Sequence, residues 1–218
     1  LGSRHISALP GMPFEDEEPF DVSRAKCIDE LRWRVDQADK HGIVFGAEAH
    51  VGSIAPTPEE AGALVNDVPG LTLTLDYCHF TCNGTPDDRI EPLAECASHF
   101  HVRGAADGRL QASFKDNVID YKRVVDALDE AGYSGYIGLE YVWIDWEHCN
   151  ECDNLSETIL YRDFFARTVV GLWLCFPAAA AGTSVAVIPI STMPPFWGKA
   201  SRIQRTDGAK VICGATVI

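Results

Sequence analysis

The chain has 218 residues, enough for one domain and short of two large ones. It carries 32 acidic against 18 basic side chains, and residues 1–168 alone hold 31 acids against 14 bases, a net charge of −17. This negative charge argues against nucleic acid as a partner, because nucleic-acid binding needs Lys and Arg side chains to neutralise the phosphates. A metal ion or an uncharged polar molecule suits it better.

The cysteine content and the uncharged segment near the carboxyl terminus indicate where in the cell the protein is located. Eight cysteines are scattered along the chain, too few for a disulfide scaffold and typical of reduced cytosolic thiols. No secretory signal opens the chain, so we expect a cytoplasmic protein. Residues 168–198 carry no charge and are long enough to cross a bilayer, but four prolines interrupt them. We therefore expect no membrane helix.

The first half of the chain predicts two helices, each preceded by a strand. A strand over 4–9 comes before a helix that Ser23 could cap and that Gly42 ends. A second strand over 43–49 comes before a helix that begins at Thr57. Thr57 is followed by proline and, at the third position, by glutamate, which is a capping-box pattern. The order strand, helix, strand, helix follows.

The second half continues the alternation. The predicted elements are a strand over 71–75, a helix from Pro86 to Cys96, a strand over 98–102, a polar loop over 104–115, a helix capped by Asn117 and closed by Gly132, a strand over 136–142 and a final helix near 157–167. Strands and helices in this order with short connections predict a parallel sheet wrapped by helices. The fold class is therefore α/β of the (β/α) barrel type, and residues 169–218 form an apolar and basic tail of unknown structure.

Four of the predicted strands end in a residue that can bind a metal. These residues are Glu48, Asp76, His101 and Glu140, separated by 28, 25 and 39 residues. A strand, a helix and two loops need about 30 residues, so each separation fits one βα unit. Parallel barrels place all carboxyl ends of their strands on one face, where active sites collect. We expect the four side chains to meet there.

Three carboxylates and one imidazole form a mostly oxygen ligand set. Such a set favours Mn²⁺, Mg²⁺ or Co²⁺, with Zn²⁺ less favoured. Without an ion, buried unpaired carboxylates would cost several kcal/mol each. A bound ion of this kind can polarise a carbonyl and stabilise an enediolate, and a neighbouring carboxylate can remove the proton next to that carbonyl. The pattern thus predicts one divalent cation and proton-transfer chemistry.

Several short motifs occur in order around these residues. They are ExH (Glu48, His50), DxxH (Asp76, His79), HxHxR (His99, His101, Arg103) and a glutamate ending the following strand (Glu140). Together they resemble the xylose isomerase-like TIM barrels, which include sugar phosphate isomerases and epimerases, ketose 3-epimerases and inosose dehydratases. The resemblance covers residues 6–168. It implies a barrel in which the first two βα units are absent, so that residues 1–168 are a partial, N-terminally truncated barrel.

The resemblance also implies roles for individual residues. The metal ligands would be Glu48, Asp76, His101 and Glu140. In the ketose epimerases of this family the two glutamates act as the acid/base pair, which here would be Glu48 and Glu140. His79 and a basic residue after the histidine-bearing strand, either Arg103 or Arg109, would contact the substrate, and His50 is a further candidate. The implied function is isomerisation or epimerisation of a small sugar or polyol.

Other functions share the same residues. A keto-polyol dehydratase begins with the same proton abstraction. An apurinic endonuclease of the endonuclease IV type shares the four positions, but residues 114–117 lack its Asp-x-His pair. An inactive fragment is the third alternative, and a homo-oligomer remains open. The metal content separates these alternatives, because one ion indicates the isomerase, three zinc ions the nuclease and none the fragment. Trp143 and Trp146 could cover a sugar or the core.

Overall fold

The computed structural model describes residues 3–14, 17–173 and 184–185. The strands are β1 (His5–Ala8), β2 (Val44–Glu48), β3 (Thr72–Asp76), β4 (Ala97–Val102), β5 (Gly104–Ala106), β6 (Arg109–Ala112), β7 (Tyr136–Leu139) and β8 (Ser184–Val185). The helices are α1 (Phe20–Lys40), α2 (Pro58–Asp67), α3 (Cys78–Thr81), α4 (Asp87–Ile90), α5 (Tyr121–Glu130) and α6 (Asn154–Trp173). The strands β1, β2, β3, β4 and β7 are separated by helices, as predicted.

Five parallel strands form a half-barrel sheet. Their order is β1-β2-β3-β4-β7, the two-residue strand β8 pairs with β7, and β5 and β6 form a separate antiparallel hairpin. Each consecutive pair in the main sheet is parallel. The predicted fold class, an incomplete barrel of the TIM type, is confirmed. All five carboxyl ends consequently lie along one edge of the sheet.

The two faces of the sheet differ in chemistry because successive strand residues point to opposite sides. One face is apolar and packs against the helices, with Leu73, Leu75, Phe100, Val102 and Leu139 fully or almost fully buried. The other face carries glycine, threonine and histidine. Register aligns Asp76 with His101, and His101 with Gly138, across three neighbouring strands. The inner face therefore brings the ends of β3, β4 and β7 to the same height.

Two helices begin elsewhere than predicted. Helix α1 begins at Phe20, and the Ser23 hydroxyl instead accepts a hydrogen bond from the Phe14 amide and donates one to Glu18. Helix α5 begins after Asp120, whose carboxylate accepts two amide hydrogen bonds of the first turn. Asn117 caps a turn before it. In both places several cap-type residues lie close together, and tertiary contacts select among them.

Two further predictions were wrong in detail. The helix expected from Pro86 to Cys96 is divided into α4 and a 3₁₀ helix over Glu91–Cys96. Pro92 explains the division, because it lacks the amide hydrogen that the α-helical ladder requires and its ring collides with the preceding turn. The polar loop over 104–115 contains the β5–β6 hairpin. Its turn is Asp107-Gly108, with Gly108 at φ 69°, a known hairpin signal.

The carboxyl-terminal region is described in part. Helix α6 continues past the predicted boundary at residue 168 to Trp173. Residues 174–183 and 186–218, the greater part of the predicted tail, lie outside the described residues, so its structure stays a prediction. Within the described part of the chain, no helix combines the length and hydropathy needed to cross a membrane.

Candidate metal centre

The four residues predicted from the strand ends meet in space. One ligand atom from each of Glu48, Asp76, His101 and Glu140 lies within 4.8 Å of every other, and all four residues are buried. Glu48 and Asp76 are the last residues of β2 and β3, and His101 is the last but one of β4. Glu140 follows β7 directly, and its amide donates to the Val102 carbonyl. The parallel register therefore assembles the cluster.

His101 lies between the two glutamates. Its Nδ1 is 2.8 Å from Glu48 Oε1 and 3.1 Å from Glu140 Oε2. Burial by itself lowers the pKa of His101, but the two carboxylates outweigh it and hold that pKa well above its ordinary value. The imidazole thus supplies positive charge at a point where two carboxylates converge. A metal ion at that point would take over this charge, with neutral His101 as a ligand.

Asp76 is held by two donors. Its Oδ1 accepts the Cys78 amide at 2.8 Å, and its Oδ2 accepts Arg103 Nη2 at 3.0 Å. Burial raises the pKa of Asp76, but the Arg103 guanidinium and His79 lower it by more than burial raises it. The pKa of Asp76 is therefore below its ordinary value. For Arg103 the effects are reversed. Burial lowers its pKa, but the Asp76 and Glu140 carboxylates outweigh burial and raise that pKa well above its usual range. Asp76 is therefore ionised.

The donor set fits a single divalent cation. Three buried carboxylates face one buried guanidinium, which leaves two negative charges for an ion to neutralise. Oxygen donors with one imidazole suit Mg²⁺ or Mn²⁺. Gly138 also makes room, because a Cβ there would lie 3.3 Å from the His101 ring and 3.2 Å from the His99 ring. This buried cluster could bind a metal ion through Glu48, Asp76, His101 and Glu140.

His79 and His50 stack beside the cluster with ring centroids 3.9 Å apart. His79 Nε2 accepts from Arg103 Nη2 at 3.0 Å, because a guanidinium can only donate. Burial is the main reason that the pKa of His79 falls to about 3, although Asp76 opposes the shift. His50 donates through Nδ1 to the Val51 carbonyl at 2.7 Å. His79 is thus neutral, and its proton lies on Nδ1.

A cavity of about 1310 Å³ opens over the centre. Its lining includes Glu48, His101, Glu140, His50, His79, Arg103, Trp143 and Trp146. Trp143 and Trp146 are 68% and 79% exposed, so they do not cover the core. Arg109, by contrast, is on β6, 3.9 Å from Asp116, and is not among the lining residues. Of the predicted substrate residues, the structure brings His50, His79 and Arg103 to the centre and leaves Arg109 apart.

A family model identifies the fold of this cavity-bearing half-barrel. The model described as xylose isomerase-like TIM barrel matches residues 1–159.

The chain belongs to the xylose isomerase-like TIM barrel family.

Several solved structures share this fold. L-ribulose 3-epimerase aligns with a TM-score of 0.62 and 16% identity, over 82% of this chain and 67% of that chain. A D-tagatose 3-epimerase-like protein aligns with a TM-score of 0.60 and 22% identity, over 78% and 65%. A xylose isomerase-like TIM barrel protein from Mycobacterium smegmatis, in complex with magnesium, aligns with a TM-score of 0.60 and 16% identity, over 77% and 60%. No curated protein matches this chain.

These likenesses show the fold and leave the activity open, because every identity is below 25%. The chain spans about two thirds or less of the length of these structures. The fold is shared with other activities as well, since the probable 3-DHS dehydratase AsbF from Bacillus anthracis and an AP endonuclease of family 2 from Brucella melitensis align with TM-scores of 0.55 and 0.56. Proteins of this fold therefore include epimerases, a probable dehydratase and an endonuclease.

Some residues of the site were not predicted from the sequence. His5 and Ser98 form a hydrogen bond of 2.8 Å on the inner face, and both line the cavity. The Tyr141 hydroxyl accepts the Gly104 amide and donates to the Ala112 carbonyl, which ties the residue after Glu140 to the β5–β6 hairpin. No spacing in the sequence signals these contacts, because each joins elements distant along the chain.

Proposed function

We propose that this protein is a divalent-metal-dependent isomerase or epimerase of a small sugar or polyol. The observation that carries the proposal is the meeting of Glu48 and Glu140, from two different strands, at one nitrogen of His101 inside a buried cluster. Two carboxylates on either side of one centre can serve as base and acid at the same substrate carbon. A family with epimerases among its structural neighbours fits this chemistry.

The residues of the cluster and its neighbours have different proposed roles. Glu48, Asp76, His101 and Glu140 would hold the ion. When bound, a Mn²⁺, Mg²⁺ or Co²⁺ ion supplies polarisation of a substrate carbonyl, with Zn²⁺ the less suitable ion. Glu48 removes the proton from the neighbouring carbon. In an isomerisation Glu48 returns that proton to the substrate; in an epimerisation Glu140 takes up a proton from solvent and gives it to the opposite face, and Glu48 releases its proton to solvent. Arg103 keeps Asp76 ionised, so that its carboxylate remains available as a ligand.

Substrate would bind in the cavity above the cluster. His50 and His79 offer polar contacts, and Arg103 adds a buried positive charge beside them. Arg109 would contact substrate only if the hairpin moved, so we rank it below the other three. The exposed indoles of Trp143 and Trp146 present apolar faces at the same cavity, which suit the C–H faces of a sugar ring.

The indole of Trp143 is expected to contribute to sugar binding. Replacing Trp143 with alanine is expected to weaken binding of a ketose such as L-ribulose about 10-fold, the loss of about 1.4 kcal/mol of contact energy. Isothermal titration calorimetry with the sugar measures this. Trp33, which is 58% exposed on α1 and does not line the cavity, provides the matched control as Trp33→Ala. Equal affinity of the two variants would argue against a sugar platform at Trp143.

Hydrogen exchange tests the reaction class. With Mn²⁺ in D₂O, the protein should exchange the proton next to the carbonyl of L-ribulose or D-tagatose for deuterium, as NMR would show. Glu48→Gln is expected to slow this exchange about 10²- to 10⁴-fold, the usual contribution of a general base. Glu147→Gln, on the same cavity, should leave it unchanged. Absence of exchange with every ketose tried, in protein that binds the ion, would contradict the proposal.

The alternatives differ in product and metal count. A dehydratase would also exchange the proton but would release an unsaturated product, which the same NMR experiment detects. An endonuclease of this type needs three metal ions, whereas Glu48, Asp76, His101 and Glu140 supply the ligands of one. The net charge of −17 over residues 1–168 also disfavours DNA. We therefore propose that nucleic acid is not a partner of this protein. We also propose a cytoplasmic location, because the cysteines are scattered as reduced thiols are.

A further inference from the structure

Arg103 occupies an unusual position for a basic side chain. Its side chain is 4% exposed, and Nη2 lies 3.0 Å from Asp76 Oδ2, 3.0 Å from His79 Nε2 and 3.9 Å from Glu140 Oε2. Three acceptors surround one nitrogen atom. All three belong to residue types that bind metal ions, so the guanidinium lies where a cation would be coordinated.

Two of these acceptors lie close to each other and to a carboxylate of the four-residue cluster. His79 Nε2 lies 3.6 Å from Asp76 Oδ2 and 3.9 Å from Glu48 Oε1, which belongs to that cluster. These separations are shorter than the 4.8 Å spread of the four-residue cluster itself. Asp76 and Glu140 belong to both groups, as bridging carboxylates do in centres whose two ions lie about 3.5–4 Å apart. The chain therefore carries the donors of a second site beside the first.

We propose that Arg103 takes the place of a second metal ion and restricts the centre to one divalent cation. Asp76, His79 and Glu140 then form a latent second metal site, which is open only when the guanidinium is removed. The inference rests on the metal centre of the proposed function and adds to it the residue that sets the number of ions.

Charge and donor capacity explain how the restriction works. A guanidinium always carries its charge, and the two hydrogens of Nη2 are directed to Asp76 and His79. His79 consequently has no lone pair on Nε2 left for a metal. A second divalent ion would also add two positive charges to a centre that one ion and Arg103 already neutralise. The protein thus excludes the paired-metal geometry that stabilises both oxygens in phosphoester hydrolysis.

Metal counting tests the proposal. The wild-type protein and two variants, Arg103→Met and Arg103→Lys, are dialysed against Mn²⁺, and bound manganese is measured by elemental analysis. We expect about one ion per chain in the wild type and in Arg103→Lys, which keeps the charge, and about two in Arg103→Met. Low-temperature electron paramagnetic resonance should show an exchange-coupled Mn²⁺ pair in Arg103→Met alone.

A double variant identifies the ligand. Adding His79→Asn to Arg103→Met should return the count to about one ion, because the second site needs the imidazole. If Arg103→Met, or Arg103→Gln as a second neutral variant, folds only with Mn²⁺, folding restored by two ions supports the proposal. Failure of both to fold at any Mn²⁺ concentration would contradict it, because the ion could not then replace the guanidinium.

The outcomes separate this inference from the proposed function. A folded Arg103→Met that binds one ion, or a wild type that binds two, overturns the role of Arg103 and leaves the single-metal enzyme standing. A wild type that binds none overturns the proposed metal centre first, and the latent second site with it.

Discussion

Replacing Glu140 with glutamine is expected to remove bound metal from the protein. The amide has the shape of the carboxylate but lacks its charge, and Glu140 is one of three carboxylates in the buried cluster. We expect Mn²⁺ affinity to fall by more than about 100-fold, since even the loss of a residue that only supports a metal ligand costs about 10- to 100-fold. Elemental analysis after dialysis, with circular dichroism to verify the fold, measures the effect.

Glu147 provides the control for this substitution. It lines the same cavity but lies outside the cluster, so Glu147→Gln makes the same chemical change without touching a ligand. It should keep the wild-type metal content. If Glu140→Gln retained as much Mn²⁺ as Glu147→Gln, the four-residue centre would be wrong, and the proposed proton transfer would lose its basis.

The second large effect concerns stability. Replacing Asp76 with asparagine is expected to lower the free energy of unfolding of the metal-free protein by about 3–5 kcal/mol at pH 7, because the buried Arg103 guanidinium loses its nearest ionic partner while the Glu140 carboxylate stays 3.9 Å away. Burial raises the pKa of Asp76, but Arg103 lowers it below the ordinary value. The pair therefore stabilises the protein fully at pH values above the pKa that Asp76 has in the unfolded chain. This stabilisation is lost as the pH falls through the lower pKa that Asp76 has in the folded protein.

Urea unfolding in the presence of a chelator measures this loss. The matched variant is Asp36→Asn on α1, where Asp36 pairs with Lys40 and both side chains are 57% exposed. An exposed pair four residues apart on a helix contributes about 0.3–0.5 kcal/mol, so this variant should be nearly neutral. Similar losses in both variants would mean that burial of the Asp76–Arg103 pair does not matter. Arg103 would then be a poor candidate for a built-in cation.

The sequence predicted the regular parts of the fold well. The five main strands were found because apolar runs bounded by turn residues are a local signal, and the fold followed from their alternation with helices. Thr57 caps α2 as its motif predicts, with the hydroxyl accepting the Glu60 amide. The misplaced starts of α1 and α5 lie where several capping residues are close together, and tertiary contacts decided between them. The β5–β6 hairpin, by contrast, has a local signal in Asp107-Gly108.

The site was predictable for a similar reason. The residues Glu48, Asp76 and His101 were found because parallel strands bring their carboxyl ends together whatever the loops between them contain. The position of Arg103 was not predictable. Its motif suggests a substrate contact, and only the packed structure directs the guanidinium to Asp76 and His79. Nor could the sequence separate Arg103 from Arg109 as the basic residue at the centre.

The sequence by itself determined the βα alternation, the acidic character of residues 1–168 and the presence of metal-binding residue types at four strand ends. These follow from side-chain periodicity and charge, which are properties of each segment alone. Only the tertiary structure decided which donors are shared, which arginine is buried and that His79 accepts from it. Such contacts join residues far apart in the chain, and their distances depend on how the strands pack together.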